Sequence, residues 1–248
     1  MDVRNIRLKI AYDGTNYAGW QTQPGLPTIQ ESVEQAIGKM TGERPRLIGS
    51  GRTDAGVHAH GQIATFYTTK TYSPHSFQSA INAFLPDSIR ILYADEVPQS
   101  FHPTLDSVSK RYRYRVDNSP VADPILFRYA HHIPRLLEQS RMQQAAGFLV
   151  GRHDFAAFQT VGSERMSTVR TILACDVIQH GSEIHIEVEA DGFLYNMVRT
   201  IAGTLNLVGT GKWDPERVGQ IIKSADRKLA GPTAPAKGLA MLWVKYEI

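Results

Sequence analysis

The spacing of apolar and polar residues divides the first half of the chain into short strands and helices. Apolar residues alternate with charged ones from Ile6 to Ile10, which predicts a half-buried strand. Apolar residues recur at helical spacing through 28–41, and Thr28 with Glu31 forms a capping-box pattern that predicts the start of this helix. The remaining elements predicted in this half are a short strand that starts at 47–48 and ends in the glycines and serine of 49–51, strands at 59–69 and 89–97, and a helix at 76–84.

The second half repeats this mixture of elements. Strands are predicted at 110–117, 169–179, 183–190 and 242–247, with a hairpin around Gly181. Helices are predicted at 136–151 and 193–208, and a third is expected to start with Asp214 as its N-cap and Pro215 in its first turn. Strict β-α-β alternation is absent, so the order favours an α+β fold with a largely antiparallel or mixed sheet. The same order fits two similar halves, 1–106 and 107–248.

Composition excludes several classes of protein. With 248 residues, 42% of them hydrophobic and 21% charged, the chain is rich enough in apolar residues to exclude intrinsic disorder. A membrane helix needs about 18 apolar residues, and Arg199 interrupts the best run, 192–211. The N-terminal segment lacks the apolar core of a signal peptide, and the single Cys175 cannot form an internal disulfide. We therefore expect a soluble cytoplasmic protein.

Positive charge is concentrated in one short segment. The net charge is +3, and KRYRYR at 110–115 alone contributes four positive side chains. On a strand, Arg111, Arg113 and Arg115 share one face, whereas Lys110, Tyr112 and Tyr114 share the other. A cationic face for phosphates beside a tyrosine for base stacking suits RNA recognition. An edge strand protected by its charges is an equally good interpretation.

Two further segments contain candidate catalytic residues. In GRTDAGVH at 51–58, glycines flank a bend that would present Asp54 beside Arg52, whose guanidinium would keep the carboxylate ionised. A simple polar turn is the alternative. In DGFLYNMVR at 191–199, Arg199 lies on a strongly apolar helix and needs an acidic partner, for which Asp54 is a candidate. The alternative is an arginine at the helix edge that reaches solvent.

Histidines offer a weaker, metal-based interpretation. His58 and His60 are two residues apart and Asp54 is close in sequence, but a third firm ligand and a recognised metal-binding motif are missing. A metal-dependent hydrolase built on these histidines is therefore a minor alternative. A non-catalytic RNA-binding protein is another, although binding alone would not require the Asp54 carboxylate.

Taken together, the three segments GRTDAGVHAHGQ, KRYRYR and DGFLYNMVRTIAG resemble the signature motifs of the tRNA pseudouridine synthase A family. The resemblance spans nearly the whole chain, from Ala11-Tyr12-Asp13-Gly14-Thr15 to Thr233-Ala234-Pro235 and Gly238-Leu239. One departure follows Phe101-His102, where the family has an arginine and this chain has Pro103-Thr104.

The resemblance implies a cofactor-free and metal-free enzyme that isomerises uridine to pseudouridine in the anticodon stem-loop of tRNA, at nucleotides 38–40. By this resemblance Asp54 is the nucleophile. The sequence leaves open whether the Asp54 carboxylate attacks C6 of the uracil or C1′ of the ribose. Tyr112 would stack on the uracil and take the final proton, while Arg199 would pair with Asp54.

For the rest of the molecule, the resemblance implies further RNA contacts and an assembly. Arg52 would hold the displaced nucleotide or its phosphate, and Lys110, Arg111 and Arg113 would contact RNA. The implied fold is a mostly antiparallel central sheet with helices outside and an active-site cleft between the two halves. A homodimer in which one tRNA touches both subunits is also implied.

Overall fold

In the computed structural model, which describes residues 2–160 and 167–247, the chain divides into two units. The first comprises Met1–Val108 together with Met241–Ile248, and the second comprises Ser109–Ala240. The division into halves at 1–106 and 107–248 remains a prediction, and the structure groups the last eight residues with the first unit.

Strands and helices follow one another along the described chain without strict alternation. The strands are β1 (Arg4–Tyr12), β2 (Ile48–Gly49), β3 (His58–Thr68), β4 (Ile89–Val97), β5 (Ser107–Asp117), β6 (His131–His132), β7 (Gly151–Asp154), β8 (Val169–His180), β9 (Glu183–Ala190) and β10 (Leu239–Tyr246). The helices are α1 (Ile29–Thr41), α2 (Pro74–Phe84), α3 (Gln139–Gly147), α4 (Met197–Gly209) and α5 (Arg217–Ser224). This mixture confirms the predicted α+β class.

The first unit is built on strands in the order β4-β1-β3-β10. β1 pairs antiparallel with β3 on one side and with β4 on the other. The alternating residues Ile6, Leu8 and Ile10 of β1 are fully buried, as their pattern predicted. On the same core, Phe66 of β3 meets Phe77 of α2 edge to face, with ring centroids 5.6 Å apart.

The second unit is built on antiparallel strands in the order β5-β9-β8-β7, and the short β6 runs parallel to the end of β5. Gly181, at φ +60°, closes the predicted β8–β9 hairpin. The helix α3 contacts both β8 and α4. The antiparallel pairings confirm the mostly antiparallel character expected of the sheet.

The first helix begins as the sequence predicts, whereas α2 begins at Pro74, two residues before its predicted start. Thr28 accepts a hydrogen bond from the Glu31 amide at the start of α1, and Gly42 ends this helix in the left-handed conformation. Ser73 caps α2 in the same way, by accepting from the Ser76 amide. These caps satisfy amide groups that the helix itself leaves without partners.

In the second unit α3 begins at Gln139 rather than at 136, and three further helix boundaries differ from the prediction. α3 ends at Gly147 rather than Gly151, because tighter turns follow it and Gly151, at φ +111°, begins β7. α4 begins at Met197 rather than Phe193, because Asn196 has a left-handed backbone that breaks a right-handed helix.

The third difference concerns the N-cap expected for α5. This helix starts at Arg217 after Glu216, so Asp214 is not its cap. The Asp214 carboxylate instead accepts from the Arg141 guanidinium at 3.1 Å. Among the described residues, no helix combines the length and the apolar character needed to cross a lipid bilayer.

Candidate functional site

Asp54 lies on a tight turn between β2 and β3 in the first unit. Its carbonyl accepts a hydrogen bond from the Val57 amide at 3.1 Å, and Gly56 supplies the positive φ of +77° that the turn requires. Asp54 is half-buried and Arg52 is exposed. The turn therefore leaves the carboxylate partly accessible beside a residue of opposite charge.

The residue before Asp54 is fixed by two neighbours. The buried Thr53 hydroxyl lies 2.8 Å from the Tyr12 hydroxyl at the end of β1. The Thr53 carbonyl accepts from the Trp20 amide at 3.0 Å. Burial raises the pKa of Tyr12, an effect that hydrogen bonds to Thr53 and Gln62 only reduce. The phenol therefore stays neutral and available as a hydrogen-bonding group.

The start of the loop is held from β3. The Gln62 side chain donates to the Gly51 carbonyl at 2.8 Å and accepts from the Ser50 hydroxyl at 2.5 Å. The Thr104 hydroxyl donates to the Gly49 carbonyl at 2.9 Å. Thr104 belongs to the segment that departs from the family pattern, so here this segment supports the backbone just before the loop.

Two glycines let the segment after β1 pack directly against the loop. A Cβ on Gly14 would lie 2.0 Å from the Val57 carbonyl oxygen, and one on Gly19 would lie 2.7 Å from the Thr53 carbonyl oxygen. Gly19 also has a φ of +102°. Neither position has room for a side chain, so the loop is confined on this side by backbone.

The two histidines of the metal-based alternative lie in different environments. His58 is buried, and its Nδ1 is 3.1 Å from the Gly14 amide and 3.2 Å from a carboxylate oxygen of Asp13. His60 is exposed. Across the described ranges, no cluster of three or more histidine, cysteine or acidic side chains is arranged to hold a metal ion.

In the second unit, β5 has the predicted two faces. Lys110, Tyr112 and Tyr114 are buried, whereas Arg111 and Arg113 are half-buried on the other face. The Tyr112 ring meets the Phe193 ring edge to face with centroids 5.0 Å apart. Tyr112 is 7% exposed, so only a small part of its ring or hydroxyl is accessible to a base.

Carboxylates of the neighbouring strands pair with the arginines of β5. Arg111 contacts Glu187 at 2.8 Å and Asp176 at 2.6 Å, and Arg113 contacts Glu187 at 2.6 Å. Arg115 contacts Glu183 at 2.7 Å. Burial alone would raise the pKa of Glu187, but its hydrogen bonds with Arg113 and Arg111 lower it. RNA binding by Arg111 and Arg113 remains a prediction, and these ion pairs favour a structural role instead.

Arg199 is the third residue of α4, and neutral groups orient it within the second unit. Its Nε donates to the Ala234 carbonyl at 2.8 Å, and its Nη1 donates to Asn196 Oδ1 at 2.8 Å. The Ala234 amide donates in return to the Arg199 carbonyl at 3.1 Å. These two acceptors help to set the direction of the guanidinium.

The sequence-predicted site residues are divided between the units. Asp54 and Arg52 belong to the first, whereas Tyr112, Arg199 and the Lys110–Arg113 segment belong to the second. The pairing of Asp54 with Arg199 therefore remains a prediction.

Sequence reasoning missed the residues that support the loop carrying Asp54. Tyr12 and Gln62 are polar residues within mostly apolar strands, and that pattern is a usable signal. Thr53 and Thr104 offer no such signal, because their partners are distant in sequence.

Comparisons of this chain with known proteins agree on one family. The family model described as tRNA pseudouridine synthase matches residues 9–106 and 145–247. The tRNA pseudouridine synthase A of Pelobacter propionicus is 46% identical over 244 residues, which cover 98% of this chain and 100% of the relative. The tRNA pseudouridine synthase A 2 of Clostridium tetani is 47% identical over 246 residues, which cover 98% of this chain and 99% of the relative.

A comparison with solved structures adds little. One chain of a Cbf5-Nop10-Gar1 complex is 11% identical with a TM-score of 0.36, and the match covers 96% of this chain and 58% of that one. A similarity of this size carries no conclusion about fold or function.

Proposed function

The chain belongs to the tRNA pseudouridine synthase A family, and we propose that it isomerises uridine in the anticodon stem-loop of tRNA with Asp54 as the nucleophile. As a member of this family it is an RNA isomerase. The reaction breaks the bond between N1 of uracil and C1′ of ribose and joins C5 to C1′. N1 gains a proton and C5 loses one, so the atoms balance without a cofactor.

The observation that carries the proposal is the set of contacts that holds the turn at Asp54 in place. The Trp20 amide donates to the Thr53 carbonyl, the Tyr12 and Thr53 hydroxyls share a hydrogen bond, and close backbone packing confines the other side. A nucleophile must be held close to its productive geometry by its surroundings. Such rigid support is expected for a carboxylate that attacks a bound nucleotide, whereas a polar surface turn does not need it.

Residues of both units have roles in the proposed chemistry. Arg199 keeps the Asp54 carboxylate ionised and oriented, and Arg52 holds the displaced nucleotide through its phosphate. Tyr112 stacks on the uracil, and its side-chain oxygen, as the phenolate, accepts the C5 proton in the last step and becomes the neutral phenol. The target nucleotide must leave its stem or loop stack to reach Asp54, so binding includes base flipping.

We also propose that the enzyme is a cytoplasmic homodimer, as the family resemblance implies. The second unit exposes large apolar side chains in one stretch of chain, including Val121, Ile125 and Leu136, each more than three-quarters exposed. Exposed apolar surface of this kind is typical of contact regions. Light scattering of the purified protein should give twice the 27.6 kDa chain mass, and a monomeric mass would contradict the dimer.

Tritium release tests the reaction and the nucleophile together. The wild-type protein should release tritium from an anticodon stem-loop labelled at C5 of uridine. Asp54→Asn should lose at least about 10³-fold in rate and still bind tRNA, because asparagine is nearly isosteric and cannot act as the nucleophile. Asp87→Asn is the matched control, since Asp87 is fully exposed and lies outside the loop.

The same assay separates the alternatives. A wild-type protein that binds tRNA and releases no tritium would be the non-catalytic RNA-binding protein. Loss of release in EDTA, restored by zinc or magnesium, would support a metal-dependent enzyme. A rate for Asp54→Asn within tenfold of wild type would exclude Asp54 as the nucleophile.

A further inference from the structure

Tyr246, the last residue of β10, has a hydroxyl with two partners in the first unit. It donates to the Pro103 carbonyl at 2.7 Å and also hydrogen-bonds with the Ser50 side chain. Burial raises the pKa of Tyr246 by more than its hydrogen bond with Ser50 and the positive charge of Arg7 lower it. The phenol therefore stays neutral and keeps the proton that it donates.

Packing alone does not explain this hydroxyl. The Tyr246 ring lies against the Phe101 ring with centroids 5.1 Å apart, and phenylalanine would make the same contact. Tyr67 offers a comparison, because its hydroxyl donates to the Gln99 carbonyl at 2.9 Å in an exposed setting. The Tyr246 hydroxyl instead reaches Ser50, which is fully buried. It therefore connects the end of β10 with the interior of the first unit.

From Ser50, further hydrogen bonds lead to the residue before Asp54. The Ser50 hydroxyl donates to Gln62 Oε1 at 2.5 Å, because this carbonyl oxygen can only accept. Gln62 also hydrogen-bonds with Tyr12, whose hydroxyl lies 2.8 Å from that of Thr53. Buried polar groups that all have partners form a rigid network. We call the side chains of Tyr246, Ser50, Gln62, Tyr12 and Thr53 the loop network.

The Gln62 amide at the centre of the loop network is fixed at both ends. Its Oε1 accepts from the Ile63 amide at 3.1 Å, and its Nε2 donates to the Gly51 carbonyl at 2.8 Å. β10 lies close to this point, because a Cβ on Gly61 would be 2.7 Å from the Leu242 carbonyl oxygen. The network therefore passes through a side chain that has one defined orientation.

The Pro103 contact gives Tyr246 a second connection to the same backbone. Thr104 follows Pro103, and its hydroxyl donates to the Gly49 carbonyl at 2.9 Å. Gly49 directly precedes Ser50. Both partners of the Tyr246 hydroxyl therefore lead to the backbone just before the turn that carries Asp54.

We propose that Tyr246 is a positioning residue that holds the turn at Asp54 through the loop network. This inference rests on the proposed function, because the role of Asp54 as nucleophile is part of it. Tyr246 does not touch the substrate in this role. Its hydroxyl acts on the backbone that leads to Asp54, through Ser50 on one side and Pro103 on the other.

Tyr246→Phe tests the hydroxyl alone. The ring contact with Phe101 remains and both hydrogen bonds are lost, so the single-turnover rate of tritium release should fall about tenfold with tRNA affinity unchanged. The loss should stay below the roughly 10²-fold effect of a 1 Å misplacement, because Thr53 keeps its other contacts. Tyr67→Phe is the matched control, since it loses the same kind of hydrogen bond and should keep the wild-type rate.

Ser50→Ala interrupts the loop network one step nearer to Asp54. This variant should be slowed about as much as Tyr246→Phe, and the loss in the double variant should be smaller than the product of the two single losses, because both changes break the same connection. Losses that multiply in full would show that Tyr246 and Ser50 act independently, which would overturn the proposal.

Amide hydrogen exchange measures the hold on the turn without turnover. The Trp20 amide donates to the Thr53 carbonyl and the Val57 amide to the Asp54 carbonyl, so both amides report opening of the turn. Both should exchange faster in Tyr246→Phe than in the wild-type protein, as seen by NMR.

The control and the two readouts keep the outcomes apart. Tyr67→Phe should leave the exchange of the Trp20 and Val57 amides unchanged, because its lost bond lies outside the loop network. Unchanged exchange in Tyr246→Phe, or a wild-type rate in that variant, would overturn the proposal. Failure of the wild-type protein to release tritium would refute the proposed function instead, and the exchange data would still decide whether Tyr246 holds the turn.

Discussion

The hydroxyl groups of Tyr12 and Thr53 lie 2.8 Å apart, although 41 residues separate them in the chain. Both side chains are buried, and Thr53 directly precedes Asp54. The contact joins the end of β1 to the loop that carries Asp54, so the first strand helps to position the proposed nucleophile. Its strength can be measured, because phenylalanine differs from tyrosine only in the hydroxyl.

Tyr12→Phe should lower both stability and turnover. The change leaves the buried Thr53 hydroxyl without this partner, which costs about 1–3 kcal/mol of unfolding free energy. The rate of tritium release should fall because the backbone before Asp54 gains freedom. Urea denaturation and single-turnover kinetics measure the two effects.

Tyr17→Phe is the matched control for this prediction. The Tyr17 hydroxyl makes an equivalent 2.8 Å contact with Ser88, away from Thr53. This variant should lose stability and keep the wild-type rate. Equal rates in the two variants would show that the Tyr12 hydroxyl does not support catalysis.

Gly19→Ala should damage the loop more than an ordinary glycine substitution. Its Cβ would lie 2.7 Å from the Thr53 carbonyl oxygen, so the loop has to shift. We expect a rate reduced about 10²-fold. Gly25→Ala is the control, because Gly25 also has a positive φ and has open space around its Cβ position. Gly25→Ala should lower the free energy of unfolding by about 1–2 kcal/mol and leave the rate unchanged. Comparable rates in Gly19→Ala and Gly25→Ala would argue against confinement of the loop at Gly19.

Arg113→Ala should act on stability rather than on RNA binding. The Arg113 guanidinium is 2.6 Å from Glu187, so its removal should cost about 1 kcal/mol and leave the salt dependence of tRNA affinity unchanged. Arg52→Ala, on the exposed side of the loop, should reduce the slope of log affinity against log salt by about 0.7–0.9. The same reduction of the slope in Arg113→Ala would support the contact between Arg113 and a tRNA phosphate that the sequence suggested.

Acid should destabilise the protein through groups of the second unit. Arg113 and Arg111 lower the pKa of Glu187 below its ordinary value of 4.5, against the effect of burial. Burial is the main cause that lowers the pKa of His185 below 6.5. Both folded-state pKa values are depressed, so each contribution is complete above the ordinary value and is lost as the pH falls through the folded one. The free energy of unfolding should therefore decrease from about pH 7 to pH 4.

Glu187→Gln identifies the carboxylate part of this dependence. The variant should be less stable at pH 7 and should show a shallower decline below about pH 4.5, as measured by urea denaturation across the range. Glu247→Gln, at an exposed position, should follow the wild-type curve. A wild-type slope in Glu187→Gln would show that the ion pairs do not contribute.

Local patterns in the sequence determined most of the elements and the candidate catalytic residues. Alternation predicted β1 and β5, and the Thr28 capping box predicted the start of α1, because each signal depends on residues within one or two turns. The three segments that resemble the family motifs placed Asp54, Tyr112 and Arg199 in a proposed mechanism for the same reason, since each motif is read within a short window.

Contacts between distant residues were decided only by the tertiary structure. The register of β5 against β9 sets Arg113 opposite Glu187, with which it forms an ion pair. The left-handed backbone of Asn196 moves the start of α4 to Met197, although apolar periodicity continues through Phe193. Periodicity records which residues prefer the core. It does not specify the register of paired strands or the partner of a buried polar group, because both depend on residues that folding brings together from distant parts of the chain.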